Sequence, residues 1–224
     1  MSRLIVAFDP EEEPLEYWIR LGGELCGEVW GVKVGLPFLL RYGLGSLAEL
    51  REACGRSVIA DLKLADIGPV MLSSVSALRG LVEAVIAHAF VGYAGAIEGL
   101  RKGLEEMGVK LVLVASMSHK GSEEVIDPSL ERVLEVIRRA EPWGIVAPAT
   151  RPSVIAEIRR RGFPQKILSP GVGAQGAPPG SALRAGADYE IVGRYITRSR
   201  DPAATARAIN LEHERLLGSL GGAR

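Results

Sequence analysis

The most constraining feature of this chain is a repeating alternation: eight short apolar runs, each followed by a stretch with helical spacing. The runs are Leu4–Phe8, Val29–Val34, the first half of Ser57–Asp66, Glu83–Ala89, Lys110–Ala115, Gly144–Ala147, Lys166–Leu168 and Tyr189–Val192. They are too short for core helices and apolar on both faces, as strands of a parallel sheet covered on both sides must be. Helical segments are expected from Pro14 to a stop at Gly22-Gly23, and over Leu36–Tyr42, Ser46–Cys54, Val70–Leu78 and Gly95–Met107. Others are expected after a cap at Asp127-Pro128-Ser129, over Pro152–Arg161 and Ser181–Ala185, and from Asp201-Pro202 to about Leu217. Eight βα repeats in 224 residues favour a closed (β/α)₈ barrel, the TIM-barrel class of α/β proteins, as a single domain over 1–224. A frayed tail is expected from about residue 218. A doubly wound open sheet is the alternative, disfavoured because no GxGxxG follows the first run.

Composition sets limits on the partners. Lysine and arginine balance aspartate and glutamate at 27 each, so no net basic charge points to nucleic acid. An anionic ligand must be met by cations placed locally. No apolar run is long enough to span a membrane. Cys26 and Cys54 form neither a CxxC nor a His-paired metal motif. Two reduced thiols, and a chain that enters a strand directly, are the reading of a cytoplasmic protein.

The third run breaks the apolar rule. Ser57-Val58-Ile59-Ala60-Asp61-Leu62-Lys63-Leu64-Ala65-Asp66 carries three charges in six positions. Strand alternation puts Ile59, Asp61 and Lys63 on one face. An aspartate and a lysine on an apolar strand must pair, because desolvating either alone is costly. In a barrel, reactive groups come from the carboxyl ends of several strands, where Asp9, Lys33, Ser118, Pro170 and Arg194 also fall. Lys33, Asp61, Lys63 and Asp66 make a row of alternating sign that could hold an ammonium as proton donor beside a carboxylate. The plainer alternative is a salt-bridge network that only satisfies polar strand ends.

A second constellation is Ser169-Pro170-Gly171-Val172-Gly173-Ala174-Gln175-Gly176 with Gly193-Arg194. Loops after strands 7 and 8 often bind phosphate in barrels, with backbone amides supplemented by a cation. Arg194 supplies that cation and Gln175 a neutral donor. His88 reads as a satisfied core histidine. His119 stands beside Ser118 without completing a nucleophilic triad.

Taken together, Ala7-Phe8-Asp9, Lys33-Val34-Gly35, Asp61-Leu62-Lys63-Leu64-Ala65-Asp66-Ile67, Met117-Ser118-His119, the Ser169–Gly176 loop and Val192-Gly193-Arg194 resemble the short, prokaryotic-type orotidine 5′-phosphate decarboxylases. The resemblance implies decarboxylation of orotidine monophosphate to uridine monophosphate in pyrimidine biosynthesis, with no metal and no cofactor. It implies Lys63 as the proton donor and Asp61 against the departing carboxylate. Lys33 and Asp66 would complete the row, Asp66 reaching in from the partner subunit of a homodimer. Asp9 with Lys33 would hold ribose, Ser118 the pyrimidine edge, and Gln175 and Arg194 the phosphate; Pro170, Gly173 and Gly193 would also bind the substrate.

One departure stands out. The family continues Pro-Asn-Thr after Asp-Ile, where this chain has Gly68-Pro69-Val70 and lacks the threonine hydroxyl. Two other functions fit parts of the pattern. A magnesium-dependent sugar-phosphate lyase or aldolase would want a further carboxylate where strand 2 carries Lys33. A non-catalytic nucleotide-binding barrel could dispense with Asp61 or Lys63.

Overall fold

The computed structural model describes residues 2–221. Its strands are β1 (Leu4–Phe8), β2 (Gly31–Gly35), β3 (Ser57–Leu64), β4 (Ala84–His88), β5 (Lys110–Val114), β6 (Gly144–Val146), β7 (Lys166–Pro170) and β8 (Tyr189–Val192). All pair in parallel and in sequence order, and β8 returns to β1 to close the barrel. Around it lie α1 (Leu15–Leu25), α2 (Leu36–Tyr42), α3 (Gly45–Cys54), α4 (Gly68–Val75), α5 (Glu98–Met107), α6 (Gly121–Val125), α7 (Leu130–Ala140), α8 (Pro152–Arg160), α9 (Ser181–Arg184), α10 (Arg194–Thr197) and α11 (Pro202–Gly221). The expected closed (β/α)₈ barrel is the fold.

Strand alternation divides the core in two. Leu4, Val6 and Phe8 face outward and join the shell beneath the helices, whereas Ile5 and Ala7 face the barrel axis. Ile59, Ile86, Val112, Leu168 and Ile191 complete an apolar interior. Its amino-terminal mouth is stopped by aromatic rings. Trp30 and Trp143 stack with centroids 5.6 Å apart, and Tyr189 lies 4.8 Å from Trp30. Polar groups in the interior can therefore meet water only from the carboxyl-terminal mouth.

Several boundaries differ from the sequence expectation, each for a tertiary reason. Helix α1 runs through Gly22-Gly23 to Leu25 instead of stopping there. A Cβ on Gly22 would come within 3.0 Å of Leu50 Cδ1, so the glycine admits close packing against α3. That contact offsets the cost, about 1 kcal/mol, of a glycine inside a helix. β2 starts at Gly31, which places Lys33 in mid-strand and level with Ile59. α4 begins at Gly68, where a Cβ would lie 2.9 Å from the Ala96 carbonyl oxygen. The chain before α5 is irregular over Tyr93–Ile97, with Gly95 at φ 72°. α6 and α10 were not foreseen, being too short to show a period. Asp127 does not cap α7, since its carboxylate is taken by Ser116 and Ser122. α11 continues past Leu217 to Gly221, and residues 222–224 of the expected tail lie outside the described residues.

Glu190, at the outer face of β8, is fully buried. Its carboxylate accepts the Gly180 and Ala182 amides at 2.8 and 3.0 Å and bonds His213 Nε2 at 2.8 Å. It thereby ties the end of the glycine-rich loop and the start of α9 to α11. Glu190→Ala strands two buried amides and an imidazole, and should lower the unfolding free energy by about 3 kcal/mol or more. Denaturant titration against Glu190→Gln, which keeps one acceptor oxygen, measures this; equal stability of all three proteins would show that the pair anchors nothing.

Candidate active site

The carboxyl-terminal mouth holds a cavity of about 590 Å³. Into it project Asp9 after β1, Lys33 from β2, and Asp61 and Lys63 from β3. Lys33 Nζ stands 2.9 Å from Asp61 Oδ2 and 3.9 Å from Asp9 Oδ1. Lys63 Nζ donates to both Asp61 oxygens, at 2.8 and 2.7 Å. The row within one chain is thus Asp9–Lys33–Asp61–Lys63. Asp61 and Lys33 side chains are 8% and 10% exposed, and Lys63 is 40% exposed. The inner pair is fixed while the outer ammonium reaches the open cavity.

Lys63 does not arrive by simple alternation. Between Ala60 and Leu64 β3 advances four residues while β4 advances only from Val85 to Ala87. The bulge puts Lys63 at φ 47°, a left-handed conformation that strains a non-glycine residue by about 1–3 kcal/mol. Asp61 and Lys63 nonetheless both line the cavity, above Ile59 of the barrel interior, so the three side chains keep the expected common face. Two hydrogen bonds to Asp61 hold Lys63 in the strained position.

Burial is the largest single influence on Asp61 and would raise its pKa. Lys33 and then Lys63 together outweigh it and hold the carboxyl below the usual carboxylate range. Lys33 shows the mirror case: burial pulls its pKa down, but Asp61 and Asp9 overcome this and raise it. Both groups stay charged across the neutral range. His88 is buried, its ring tilted 38° against that of Phe90 at 4.7 Å, with its pKa lowered by burial and then by Lys63. Its Nδ1 has no hydrogen-bond partner among the described residues, unlike the satisfied core histidine expected.

The opposite wall is the phosphate-loop candidate. Pro170, Gly171, Val172, Ala174 and Gln175 line the cavity with Gly193 and Arg194. Gly171, Gly173 and Gly176 have φ of 106°, 76° and 100°, so the turn needs glycines there. Gly173 does not line the cavity; a Cβ on it would meet the Tyr195 ring at 2.6 Å. Arg194 is exposed, and its guanidinium makes no ion pair among the described residues. Ser118 and Met117 line a third side. Sequence reasoning missed the apolar floor made by Ile86, Val114, Val146 and Ile191, although strand parity could have supplied it.

Asp66 stands apart. It is exposed, outside the cavity lining, and among the described residues accepts only the Ile67 amide, at 2.7 Å. No group of three or more metal-ligating side chains occurs among the described residues. Asp9 and Asp61 both face Lys33, so a divalent cation would have to displace an ammonium.

Because the folded pKa of Asp61 lies below its unfolded value, its ionisation stabilises the fold above about pH 4, the unfolded pKa. That contribution is lost as pH falls through the lowered folded pKa. The unfolding free energy of the wild type minus that of Asp61→Asn should therefore rise with pH through the acid range and level off above about pH 4. A pH series of denaturant titrations reads it; a flat difference would mean that Asp61 is not held ionised.

Residues 2–209 match the model of the orotidine 5′-phosphate decarboxylase / HUMPS family. The chain is 49% identical over 213 residues to an orotidine 5′-phosphate decarboxylase of Aeropyrum pernix, covering 93% of this chain and 87% of that one. It is 39% identical to that of Thermococcus kodakarensis, covering 93% and 95%. Among solved structures, the Sulfolobus solfataricus orotidine 5′-monophosphate decarboxylase superposes with a TM-score of 0.87 at 38% identity, covering 97% and 100%. The Methanocaldococcus jannaschii enzyme complexed with the inhibitor BMP gives 0.87 at 28% identity, covering 94% and 98%. A match over nearly the whole chain, on a barrel whose mouth carries a lysine–aspartate–lysine row, makes this chain a member of the orotidine 5′-phosphate decarboxylase / HUMPS family.

Proposed function

We propose that the chain decarboxylates orotidine 5′-monophosphate to uridine 5′-monophosphate, with Lys63 as proton donor and no metal or cofactor. The observation that carries this reading is the Asp61 carboxylate clamped between two ammonium groups at the edge of an apolar cavity. A substrate carboxylate placed beside Asp61 is repelled in the ground state, and the repulsion is relieved as neutral carbon dioxide departs. The bond's electron pair stays on the ring carbon, beside the Lys63 ammonium that stabilises it and then protonates it. Ile86, Val114 and Val146 offer the departing neutral molecule an apolar wall. Lys63, partly exposed, regains its proton from solvent.

The remaining assignments are those the family resemblance implies, and the cavity lining supports them for Asp9, Lys33, Ser118, Gln175 and Arg194. Asp9 and Lys33 take the ribose, Ser118 the pyrimidine edge, and Arg194 and Gln175 the phosphate, with Pro170, Gly173 and Gly193 shaping the loop backbone. Phosphate binding remote from the reacting carbon supplies energy for orientation. That Arg194 makes no ion pair among the described residues supports this, since the cation can meet a dianion.

The active form on this reading is a homodimer in which Asp66 completes the partner's row. Asp66 lies outside its own row and is followed by exposed Ile67 and Val70, at 59% and 43%. Apolar side chains flanking an exposed carboxylate suit a shared interface. Val70, where the family has threonine, would bring packing rather than a ribose hydrogen bond. No described helix is long and apolar enough to cross a membrane, and the free thiols Cys26 and Cys54 suit the cytoplasm.

Turnover should proceed with chelator present and be abolished in Lys63→Ala, while the product still binds that variant. Loss of the substrate's ultraviolet absorbance follows the reaction; a requirement for added metal, or undiminished turnover in the variant, would overturn the assignment. Asp66 in trans makes a separate expectation. Lys63→Ala and Asp66→Ala subunits, each nearly inactive alone, should recover roughly a quarter of wild-type activity after random exchange, because half the dimers are mixed and each holds one intact site. No recovery after verified exchange would place Asp66 in its own subunit's site.

A further inference from the structure

Beneath the Met117–Ser118–His119 turn lies a polar cluster that the charge row does not use. Ser116 and Ser122 are fully buried, and both hydroxyls donate to Asp127 Oδ1, at 2.7 and 2.9 Å. Arg151 Nη1 lies 3.3 Å from Asp127 Oδ2, and Nη2 donates to Ser116 Oγ at 3.2 Å. Arg151 and Asp127 side chains are only 16% and 18% exposed. The turn hangs from this cluster. Met117 N donates to Ser122 Oγ at 3.1 Å, Arg151 Nη1 reaches the His119 carbonyl at 3.4 Å, and neighbouring Thr150 Oγ1 reaches the Ser118 carbonyl at 3.4 Å. The last backbone bonds to β6 are those of the Ala115 and Ser116 amides to the Val146 carbonyl, at 3.0 and 3.4 Å, so the turn that follows depends on side chains.

The chemistry of Asp127 sets the direction of every bond. A carboxylate only accepts, so both serine hydroxyls must point their protons at it. Their lone pairs are then free for the Met117 amide and the Arg151 guanidinium. The second carboxylate oxygen, together with Glu123 Oε1 at 3.3 Å from the same Nη1, holds Arg151 where it can reach His119. An asparagine could keep the serines only by turning its amino group toward Arg151, donor against donor.

We propose that Asp127 is a positioning residue for pyrimidine recognition, fixing the turn on both sides of Ser118 through Ser122 and Arg151. The proposal rests on the reading above that Ser118 meets the pyrimidine edge. It sets this cluster apart from the charge row, which acts at the reacting carbon, and from the Arg194 side, which meets phosphate. A site contact displaced by even a fraction of an ångström loses most of its value, so the scaffold behind Ser118 governs it.

The test compares two ligands, uridine 5′-monophosphate and ribose 5-phosphate, by calorimetry on the whole protein. Asp127→Asn should weaken the nucleotide about tenfold, as for coupled neighbours in one network. Ribose 5-phosphate, which lacks the base, should bind as before. In a Ser118→Ala background Asp127→Asn should cost nothing more, in nucleotide affinity and in kcat/KM alike. Ser122→Ala, the loss of one buried hydroxyl, should move the same readouts about threefold and decides the matter if Asp127→Asn does not fold. Equal losses for both ligands, or losses that add to those of Ser118→Ala, would overturn the proposal by showing a general structural role. Unchanged nucleotide affinity in Ser118→Ala would remove its basis. The metal-free turnover and its loss in Lys63→Ala would still stand or fall separately.

Discussion

The site depends on one interaction, the Asp61 carboxylate shared between Lys33 and Lys63. Charges at these distances attract by several kcal/mol at the effective dielectric of a partly buried site, and each alone would be costly to desolvate. The barrel makes the sharing compulsory. Trp30, Trp143 and Tyr189 stop the lower mouth and aliphatic layers fill the middle. Among the described residues Lys33 therefore pairs with the carboxylates of Asp9 and Asp61 above it. Asp61 is held ionised although burial opposes it. A site that must repel an anionic group needs such a carboxylate, one that cannot escape by taking up a proton.

Neighbouring strands divide the work of holding this arrangement. β2 delivers Lys33 from mid-strand, rigid and almost fully enclosed, level with the apolar Ile59. β3 delivers Asp61 on the regular part of the strand and Lys63 from a bulge at positive φ. Strain at Lys63 is local and is opposed by two hydrogen bonds to Asp61. The strained residue is also the one whose ammonium faces the open cavity, as expected where function opposes local preference.

The parts legible in the sequence were those in conflict with their surroundings. An aspartate and a lysine in an apolar strand, and glycines crowded after a seventh strand, stand out against a regular βα repeat. Parity correctly put Asp61 on the axis with Ile59, and strand counting gave the closed barrel. Other features were set by partners distant in sequence. Gly22 reads as a helix stop until Leu50 is seen against it. Asp127 before Pro128 reads as a cap until Ser116 and Arg151 are seen to use its carboxylate. Glu190 looks like an ordinary strand-end charge, yet it is fully buried against His213. The bulge at Lys63 carries no local marker, since nothing near it is glycine or proline.

Two carboxylates outside the row, Asp127 and Glu190, show how the flexible parts of the mouth relate to the rigid ones. Asp127 fastens the Ser118 turn at its centre, through side chains that reach groups on both sides of the serine. Glu190 fastens the glycine-rich loop only at its far end, at Gly180 and Ala182. Between Pro170 and that anchor the loop's backbone bonds are largely internal, such as Gly173 N to the Ala177 carbonyl at 2.8 Å and Gly176 N to the Gly173 carbonyl at 2.9 Å. Gln175 is exposed on this stretch. The contact that must discriminate one base edge from another is thus pre-set by the scaffold. The contact made to a phosphate lies on a segment free to adjust around it. A phosphate tolerates many donor geometries and a base edge few, so rigidity is concentrated where geometry carries the information.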